Sequence, residues 1–292
     1  MVTTFCPSIT AQVTEMEQDL FESMHDSDKA AIVAVHVGAG NAMAQQCINR
    51  FNERLRQAYP QCDFREAWTS RKLIQQMTTN GVSYIPTPDE LFSQLKKDGY
   101  THVLIQSSNI VDGLEMQYLR YTVDASREQF KQIRLGDPLL SDASDYEQVA
   151  QATAEAYGSS KEANVLMCDG TTSTADSQYA MLDYTLRDKG FSGWFVGTAN
   201  GFPSLDSLIR QLKGHKVKKV HLIPFLFTTN TQSHTALTSE WAQQLQKAGY
   251  KVTTEIHGLG DVDAIIDIFI NHIRHAEKYR RYSAKEIKLI TR

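Results

Sequence analysis

Cysteine is scarce in this sequence of 292 residues, which has four cysteines and no Cys-x-x-Cys pair. Cys6, Cys47, Cys62 and Cys168 are scattered along the chain, so we expect neither a structural zinc knuckle nor a disulfide-stapled secreted protein. No apolar run approaches the roughly 18 residues that a membrane span requires. The opening residues lack a basic segment followed by an apolar core, so no signal peptide is predicted. These absences predict a soluble, reduced protein of the cytoplasm.

An excess of charge of one sign is also missing. Lys and Arg total 30 against 34 for Asp and Glu, which gives a formal net charge of −4. Without a strong basic field, a general nucleic-acid partner is not expected. Hydrophobic residues make up 41% and charged residues 22% of the chain, which excludes a disordered segment and a membrane bundle. The composition leaves the oligomeric state open, a homo-oligomer included.

Short apolar runs alternate with longer amphipathic patterns through most of the sequence. Several runs are nearly continuous in Val, Ile and Leu, as strands buried on both faces should be. The runs are Ala31–Val37, Phe64–Trp68, His102–Gln106, Gln132–Leu135, Asn164–Met167, Gly193–Val196, Val220–Phe227 and Val252–Ile256. Helical patterns between them include Ala42–Gln57, Asp89–Lys97, Tyr146–Tyr157 and Tyr179–Lys189. This alternation predicts an α/β protein with parallel sheets.

The strand candidates divide four and four, with a break at residues 159–161. We therefore predict two similar halves, 29–158 and 159–292, each a small parallel sheet flanked by helices. In such sheets ligands lie outside the carboxyl ends of the strands, so the loops after strands are the candidate sites.

A helical extension is predicted over residues 1–28, ahead of the first half. Apolar residues recur there at spacings of three and four, as on one face of a helix. They are Val13, Met16, Leu20 and Met24.

The loop after the first strand contains two glycines. Gly38 and Gly40 follow His36 and allow a tight turn and close approach of a ligand to the backbone. The third glycine of a dinucleotide-binding loop is replaced by Met43, and no convincing acid follows the second strand. We therefore expect no nucleotide cofactor, and a plain glycine turn into a helix is the alternative.

Three further loops carry candidate metal ligands, namely Glu115, Asp169 and His234. Structural roles are open as well: Asp112 would cap a helix with Glu115 as its capping-box partner. Asp169 would belong to an Asp-Gly turn, and His234 would simply be exposed. If the halves face each other, the three candidates converge on one cleft. Two carboxylates and an imidazole suit a divalent ion such as Co²⁺, Fe²⁺, Ni²⁺ or Zn²⁺.

An ordered series of segments is more specific than any single motif in the chain. The segments are Trp68–Ile74, Thr87–Pro88, Gly99–Ser107, Leu135–Ser141, Val220–Phe225 and Gly258–Gly260. In this series the chain resembles the CbiK-type sirohydrochlorin cobaltochelatases, anaerobic enzymes of the class II chelatase superfamily. The resemblance implies two pseudo-symmetric α/β halves with a tetrapyrrole cleft between them. It also implies insertion of Co²⁺ into sirohydrochlorin for cobalamin biosynthesis, with no nucleotide.

The resemblance further implies a metal site with altered residues. The family holds its metal with one glutamate, which falls on Glu115, and two histidines. The histidine of a Gly-His-Gly loop is replaced by Asp169 in this chain. The other histidine falls on His234 if two residues are inserted, and on Gln232 without the insertion.

Substrate contacts are predicted for five residues of the strand-end loops, namely His36, Gly38, Gly40, Gly170 and Asn200. The family's first loop usually reads Ser-Phe-Gly-Thr-Ser, so His36 departs from its pattern. Asn200 stands where the family often has a glutamate.

Metal insertion requires the macrocycle to lose two pyrrole N–H protons. Asp169 or His234 is the predicted catalytic acceptor, and His36 would supply an imidazole from the opposite loop. An unperturbed histidine pKa near 6.5 suits such acceptance at neutral pH. An alternative function is a non-catalytic or repurposed haem-binding protein with His36 or His234 as axial ligand. A third, a nucleotide-dependent α/β enzyme, needs a phosphate loop that Met43 interrupts.

Overall fold

Two four-stranded parallel sheets form the centre of the protein in a computed structural model, which describes residues 15–22, 24–81, 83–158, 162–229 and 232–282. The first sheet contains β2 (Ala30–His36), β3 (Asp63–Trp68), β4 (His102–Ser107) and β5 (Gln132–Leu135). The second contains β6 (Ala163–Gly170), β7 (Trp194–Asn200), β8 (Lys219–Pro224) and β9 (Lys251–Thr254). All eight predicted strands are therefore confirmed, and so is the α/β class.

The two sheets have the same strand order. The first runs β3-β2-β4-β5 and the second β7-β6-β8-β9. Ile32 of β2 lies between Phe64 and Leu104, as Val165 of β6 lies between Phe195 and Leu222. In each sheet the strand that comes first in the chain, β2 or β6, therefore has a neighbour on both sides. The next strand lies on one side of it and the following strand on the other, so a switch point forms at the carboxyl ends of the strands. Ligand sites form at such switch points.

Helices flank both sheets. They are α1 (Ala42–Ala58), α2 (Arg71–Thr79), α3 (Pro88–Lys97), α4 (Leu114–Ser126), α5 (Ala143–Tyr157), α6 (Ser177–Asp188), α7 (Leu205–Gly214), α8 (Gln232–Lys247) and α9 (Asp263–Lys278). The residues around Thr87 determine where α3 begins. Pro88 is the first residue of the helix, and Glu90 accepts a hydrogen bond from the Thr87 N–H at 2.9 Å. No helix in these described ranges is long and apolar enough to cross a membrane.

The largest apolar core is shared between the halves. It joins Ile32 and Leu104 of the first sheet to Leu166 and Ile223 of the second. The C-terminal helix α9 lies against β4 and β5 and also contacts α1 and α5. A helix from the second sequence half therefore completes the core of the first. The predicted division at residues 159–161 lies outside the described residues and stays a prediction.

The predicted N-terminal helix is wrong for the part of the extension that the structure describes. Glu15–Glu17 form a strand, β1, that pairs antiparallel with β10 (Tyr279–Arg281). Leu20 is fully buried in the shared core, and its N–H donates to the Glu277 carbonyl. Pairing with a distant strand satisfies the backbone of this segment, and Leu20 packs into the shared core, so a helix is not needed to bury it. Residues 1–14 lie outside the described ranges.

Candidate functional site

A cleft of about 520 Å³ opens between the carboxyl ends of the two sheets. From the first half it is lined by residues 36–38, Ile48, residues 108–111 and 113–115; from the second, by residues 169–172, Tyr179, Asn200 and residues 225–228. Among the described residues, neither lysine nor arginine lines this cleft, whereas Glu115 and Asp169 both do. The cleft is therefore a cavity of the size of small-molecule sites, with two acidic side chains.

Glu115 lies in the first turn of α4, where the helix dipole favours a carboxylate. The N-cap of α4 is Gly113, with no side-chain capping bond, so the predicted cap by Asp112 is wrong. The Asp112 carboxylate instead accepts a hydrogen bond from Arg120 at 3.2 Å. Glu115 is thus exposed in the cleft rather than engaged in a capping box.

The loop that carries Glu115 is anchored by the second half. Gln178 of α6 accepts a hydrogen bond from the Asp112 N–H at 2.9 Å and donates one to the Leu140 carbonyl at 2.6 Å. Gly113 also approaches the second half, because a Cβ at Gly113 would lie 3.6 Å from Thr171 Oγ1. The Gln178 side chain therefore ties the loop of Glu115 to α6 of the second half.

Asp169 lies at the end of β6, and its side chain is 49% exposed. The next residue, Gly170, has φ +77°, and a Cβ there would lie 2.1 Å from the Asn200 carbonyl oxygen. Only glycine fits this position, where two parallel strands approach with a left-handed backbone. Asp169 is thus held by a fixed backbone bend next to Asn200, which also lines the cleft.

His234 approaches Asp169 from α8. Its Nε2 lies 3.7 Å from Asp169 Oδ2, within ion-pair distance but too far for a hydrogen bond. His234 itself lines a separate cavity of about 400 Å³ between α8 and β9. Glu115 and Asp169 therefore share the cleft, and Asp169 and His234 are neighbours. Within the described residues no three His, Cys, Asp or Glu side chains are close enough to hold a metal ion.

His36 lies in the wall of the cleft, but it is buried and both of its ring nitrogens are engaged. Nδ1 is 2.8 Å from Ser108 Oγ, and Nε2 is 2.9 Å from Asn52 Oδ1. Burial lowers the pKa of His36, against the opposing effects of the Glu66 charge and the Asn52 hydrogen bond, so its ring is neutral. The prediction that His36 supplies a free imidazole to the cleft is therefore wrong for this arrangement, because both ring nitrogens are bound within the protein.

The two predicted glycine contacts of the first loop differ in position. Gly38 lines the cleft with φ +129°, and a Cβ there would lie 2.8 Å from the Trp68 ring. Gly40 lies outside the lining, and its carbonyl accepts a hydrogen bond from Gln76 at 3.4 Å.

Sequence reasoning missed Tyr179, a buried residue of α6 that lines the cleft. Burial raises the pKa of its phenol, and the negative charges near it, including those of Asp169 and Glu115, add to this. Tyr179 therefore stays protonated and presents a neutral hydroxyl. Its apolar ring matches the helical pattern of α6, so the sequence offered no sign of a place in the cleft. Cys168 is buried with a raised pKa, as expected of a cysteine that is not a nucleophile.

Comparison with solved structures supports the fold. The sirohydrochlorin chelatase SirB from Bacillus subtilis subspecies spizizenii, in complex with cobalt, matches with a TM-score of 0.59 and 16% identity, over 85% of this chain and 95% of that one. SirB from Bacillus subtilis with Fe³⁺ matches with a TM-score of 0.60 over 85% and 96% of the two chains. At 16% identity these matches show a shared chelatase fold.

Comparison of sequences identifies the family. A sirohydrochlorin cobaltochelatase of Salmonella typhimurium is 30% identical over 223 residues, which are 74% of this chain and 84% of the relative. The sirohydrochlorin cobaltochelatase CbiKC of Nitratidesulfovibrio vulgaris is 27% identical over 260 residues, or 85% and 90% of the two chains. The model of the cobalt chelatase (CbiK) family matches residues 30–278. Since this match spans most of the sequence, the chain belongs to the cobalt chelatase (CbiK) family.

Proposed function

We propose that this protein inserts a divalent metal ion into sirohydrochlorin, with Co²⁺ as the metal, as in the names of its relatives. The observation that carries the proposal is that Glu115 and Asp169, from different halves, line one cleft. Carboxylates bind hard and borderline divalent cations, and their attraction for a cation increases as a ligand displaces water. The absence of lysine and arginine from the described lining leaves these charges to the incoming ion.

The apolar part of the cleft suits the flat macrocycle. Val37, Leu114 and Phe225–Phe227 line it together with the two acids. A tetrapyrrole ring would lie on these side chains with its nitrogens towards the carboxylates, which is the usual division of a ligand site into an apolar body and a few polar groups.

Asp169 and His234 form the proton acceptor of the second half in this proposal. The insertion breaks two pyrrole N–H bonds, and each nitrogen then bonds the metal through its lone pair. Asp169 lines the cleft, and His234 Nε2 lies 3.7 Å from Asp169 Oδ2, within ion-pair distance. A proton taken up here leaves through the exposed side of Asp169, which is 49% accessible.

Haem carriage, the alternative function, is less favoured by the position of the histidines. Axial ligation requires an imidazole nitrogen directed at the iron. The nitrogens of His36 are bound to Ser108 and Asn52, and His234 lines the separate cavity between α8 and β9.

An anaerobic insertion assay tests the proposal, with purified protein, sirohydrochlorin and Co²⁺, Fe²⁺, Ni²⁺ or Zn²⁺. We expect an enzyme-dependent change in the absorbance of the macrocycle, fastest with Co²⁺. Titration with haem and with sirohydrochlorin runs in parallel. Tight binding of either tetrapyrrole without turnover for any metal would support the carrier instead. If neither tetrapyrrole binds, both functions are excluded.

A further inference from the structure

Four polar side chains form a continuous hydrogen-bonded series behind the cleft, which we call the His36 network: Ser108, His36, Asn52 and Glu66. Ser108 Oγ lies 2.8 Å from His36 Nδ1, and His36 Nε2 lies 2.9 Å from Asn52 Oδ1. Asn52 Nδ2 then donates to Glu66 Oε2 at 2.7 Å. Ser108, His36 and Asn52 are 5%, 2% and 3% exposed, so these three members are almost dry, whereas Glu66 is half-buried.

The direction of every hydrogen bond in the His36 network follows from its last member. The Glu66 carboxylate only accepts, and its other oxygen accepts from Trp68 Nε1 at 2.6 Å. Asn52 must therefore turn its NH₂ group to Glu66 and its oxygen to His36. Because that oxygen cannot donate, His36 carries its proton on Nε2, and Nδ1 is left as an acceptor.

Ser108 consequently donates its hydroxyl proton to His36 Nδ1 and keeps its lone pairs for other partners. Ser108 and His36 lie at the carboxyl ends of neighbouring strands β4 and β2, and both residues line the cleft. The Ser108 N–H bond to the Val35 carbonyl, at 3.0 Å, holds this register. A hydroxyl polarised by a neutral imidazole thus belongs to a residue of the first half that lines the same cleft as Glu115 and Asp169.

The geometry points to Ser108 as a second catalytic proton acceptor, with His36, Asn52 and Glu66 as positioning residues. This inference rests on the proposed insertion reaction. One pyrrole N–H bond breaks as its proton moves to Ser108 Oγ, and the Ser108 hydroxyl proton moves to His36 Nδ1. The pyrrole lone pair then bonds the metal, His36 becomes an imidazolium, and no electrons are exchanged. After the product leaves, the proton returns through Ser108 to water.

Two acceptors match the stoichiometry of the reaction, because metal insertion releases two protons from one ring. Asp169 and His234 serve the second half, and Ser108 serves the first. An imidazolium at His36 is also tolerable despite burial. Its Nε2–H remains bound to Asn52, and the Glu66 charge lies one amide further away. The other neighbours of the ring, Phe51 and Phe227, do not titrate.

Substitutions at Ser108 and His36 test the inference through kcat, KM and metal affinity. Ser108→Ala should lower kcat about 100-fold with KM and Co²⁺ affinity unchanged, and Ser108→Thr should restore most of the rate because it keeps the hydroxyl. His36→Gln can still accept from Ser108 and donate to Asn52 but cannot hold a proton, so kcat should also fall. Ser126→Ala and His102→Gln are matched controls, since both residues are buried away from the cleft.

A pH profile and an imidazole signature separate this role from a structural one. Glu66→Gln removes the acceptor that orients Asn52, so His36 can adopt the other tautomer. ¹⁵N spectra of histidine-labelled protein should show a fixed Nε2–H tautomer in the wild type and a mixture in Glu66→Gln. The acid limb of kcat should move to lower pH in this variant, because the opposing charge on His36 is lost.

The outcomes distinguish this inference from the proposed function. A wild type that inserts no metal overturns the proposed function itself. An active wild type with unchanged kcat in Ser108→Ala and His36→Gln overturns only the role of Ser108. A raised KM at constant kcat would likewise assign these residues to binding, and an Nδ1–H tautomer in the wild type would contradict the assigned bond directions.

Discussion

The polar side chains in the two walls of the cleft differ in burial and in hydrogen bonding. The first wall, at the ends of β2 and β4, buries His36 and Ser108 and pairs them within the protein. The second wall, at the end of β6, leaves Asp169 49% exposed and only loosely paired with His234. A buried polar group must find its partner inside the protein, whereas an exposed carboxylate is solvated until a ligand arrives. The buried pair of the first wall is therefore saturated within the protein, whereas Asp169 of the second wall is open to an incoming ligand.

The largest effect is expected from removing the two carboxylate charges that bind the metal ion in the proposed reaction. Asp169→Asn and Glu115→Gln keep the shape of each side chain but lose its negative charge, so each should reduce the rate of Co²⁺ insertion at least about 100-fold. Insertion assays and calorimetric Co²⁺ binding measure the losses.

An acidic residue of α6 provides the control for this prediction. Asp188→Asn should leave both measurements unchanged, because Asp188 is exposed at the end of the helix and does not line the cleft. An Asp169→Asn variant as fast as the wild type would mean that the second wall does not hold the metal.

Backbone geometry at the second wall should give the next largest effect. Gly170→Ala combines a left-handed φ of +77° with a contact of 2.1 Å to the Asn200 carbonyl, so it should cost about 3 kcal/mol of unfolding free energy and displace Asp169. Gly190→Ala is the matched control, because its φ is +84° and nothing lies within 4 Å of its Cβ position. The control should cost only about 1 kcal/mol in urea denaturation. Equal costs would show that the approach of the two strands is unimportant.

The fold was predictable because each strand has a local sequence signal. The hydrogen bonds of the first wall could not be predicted, because they join residues that are far apart in the sequence. Strands buried on both faces are visible as apolar runs, such as Ala31–Val37. The His36 network needs Asn52 from α1 and Glu66 from β3 to meet one imidazole, and only the packed structure defines that meeting. The pairing of β1 with β10 also joins distant parts of the chain. The apolar spacing near β1 therefore predicts a helix, although the described residues form a strand there.

The site was predictable in part. Glu115 and Asp169 follow parallel strands, and the rule that ligands lie at the carboxyl ends of such strands brought them to one cleft. The place of His234 in the neighbouring cavity depends on how α8 packs against β9, which the sequence does not encode locally.

A smaller effect is expected where the two halves are tied together at the cleft. Gln178→Ala removes hydrogen bonds to Asp112 and Leu140, so it should lower the unfolding free energy by about 1–2 kcal/mol. Co²⁺ affinity should also fall, because the loop of Glu115 loses its anchor. Gln94→Ala is the control, since Gln94 is exposed and its side chain donates to Asp98 at the end of its own helix. Unchanged Co²⁺ affinity in Gln178→Ala would show that the Glu115 loop is held by other contacts.

The smallest effect, a change in the pH dependence of stability, compares His36 with a histidine outside the cleft. His272 of α9 is half-buried; although burial lowers its pKa, the hydrogen bond and charge of Asp145, 2.9 Å away, outweigh this and raise it. Its contribution is therefore full below the unfolded pKa near 6.5 and is lost as pH rises through the folded value. Burial lowers the pKa of His36, so the neutral ring does not change the unfolding free energy with pH above pH 6.5. Below pH 6.5 the unfolded state binds a proton that the folded state does not, so the unfolding free energy decreases as pH falls. Each histidine involves one proton and at most about 1.4 kcal/mol per pH unit. We therefore measure urea midpoints between pH 5 and 8 for the wild type, His36→Gln and His272→Gln. Relative to the wild type, the midpoints of the two variants should shift in opposite directions as pH changes. Parallel shifts would contradict the neutral state of His36 on which the first wall depends.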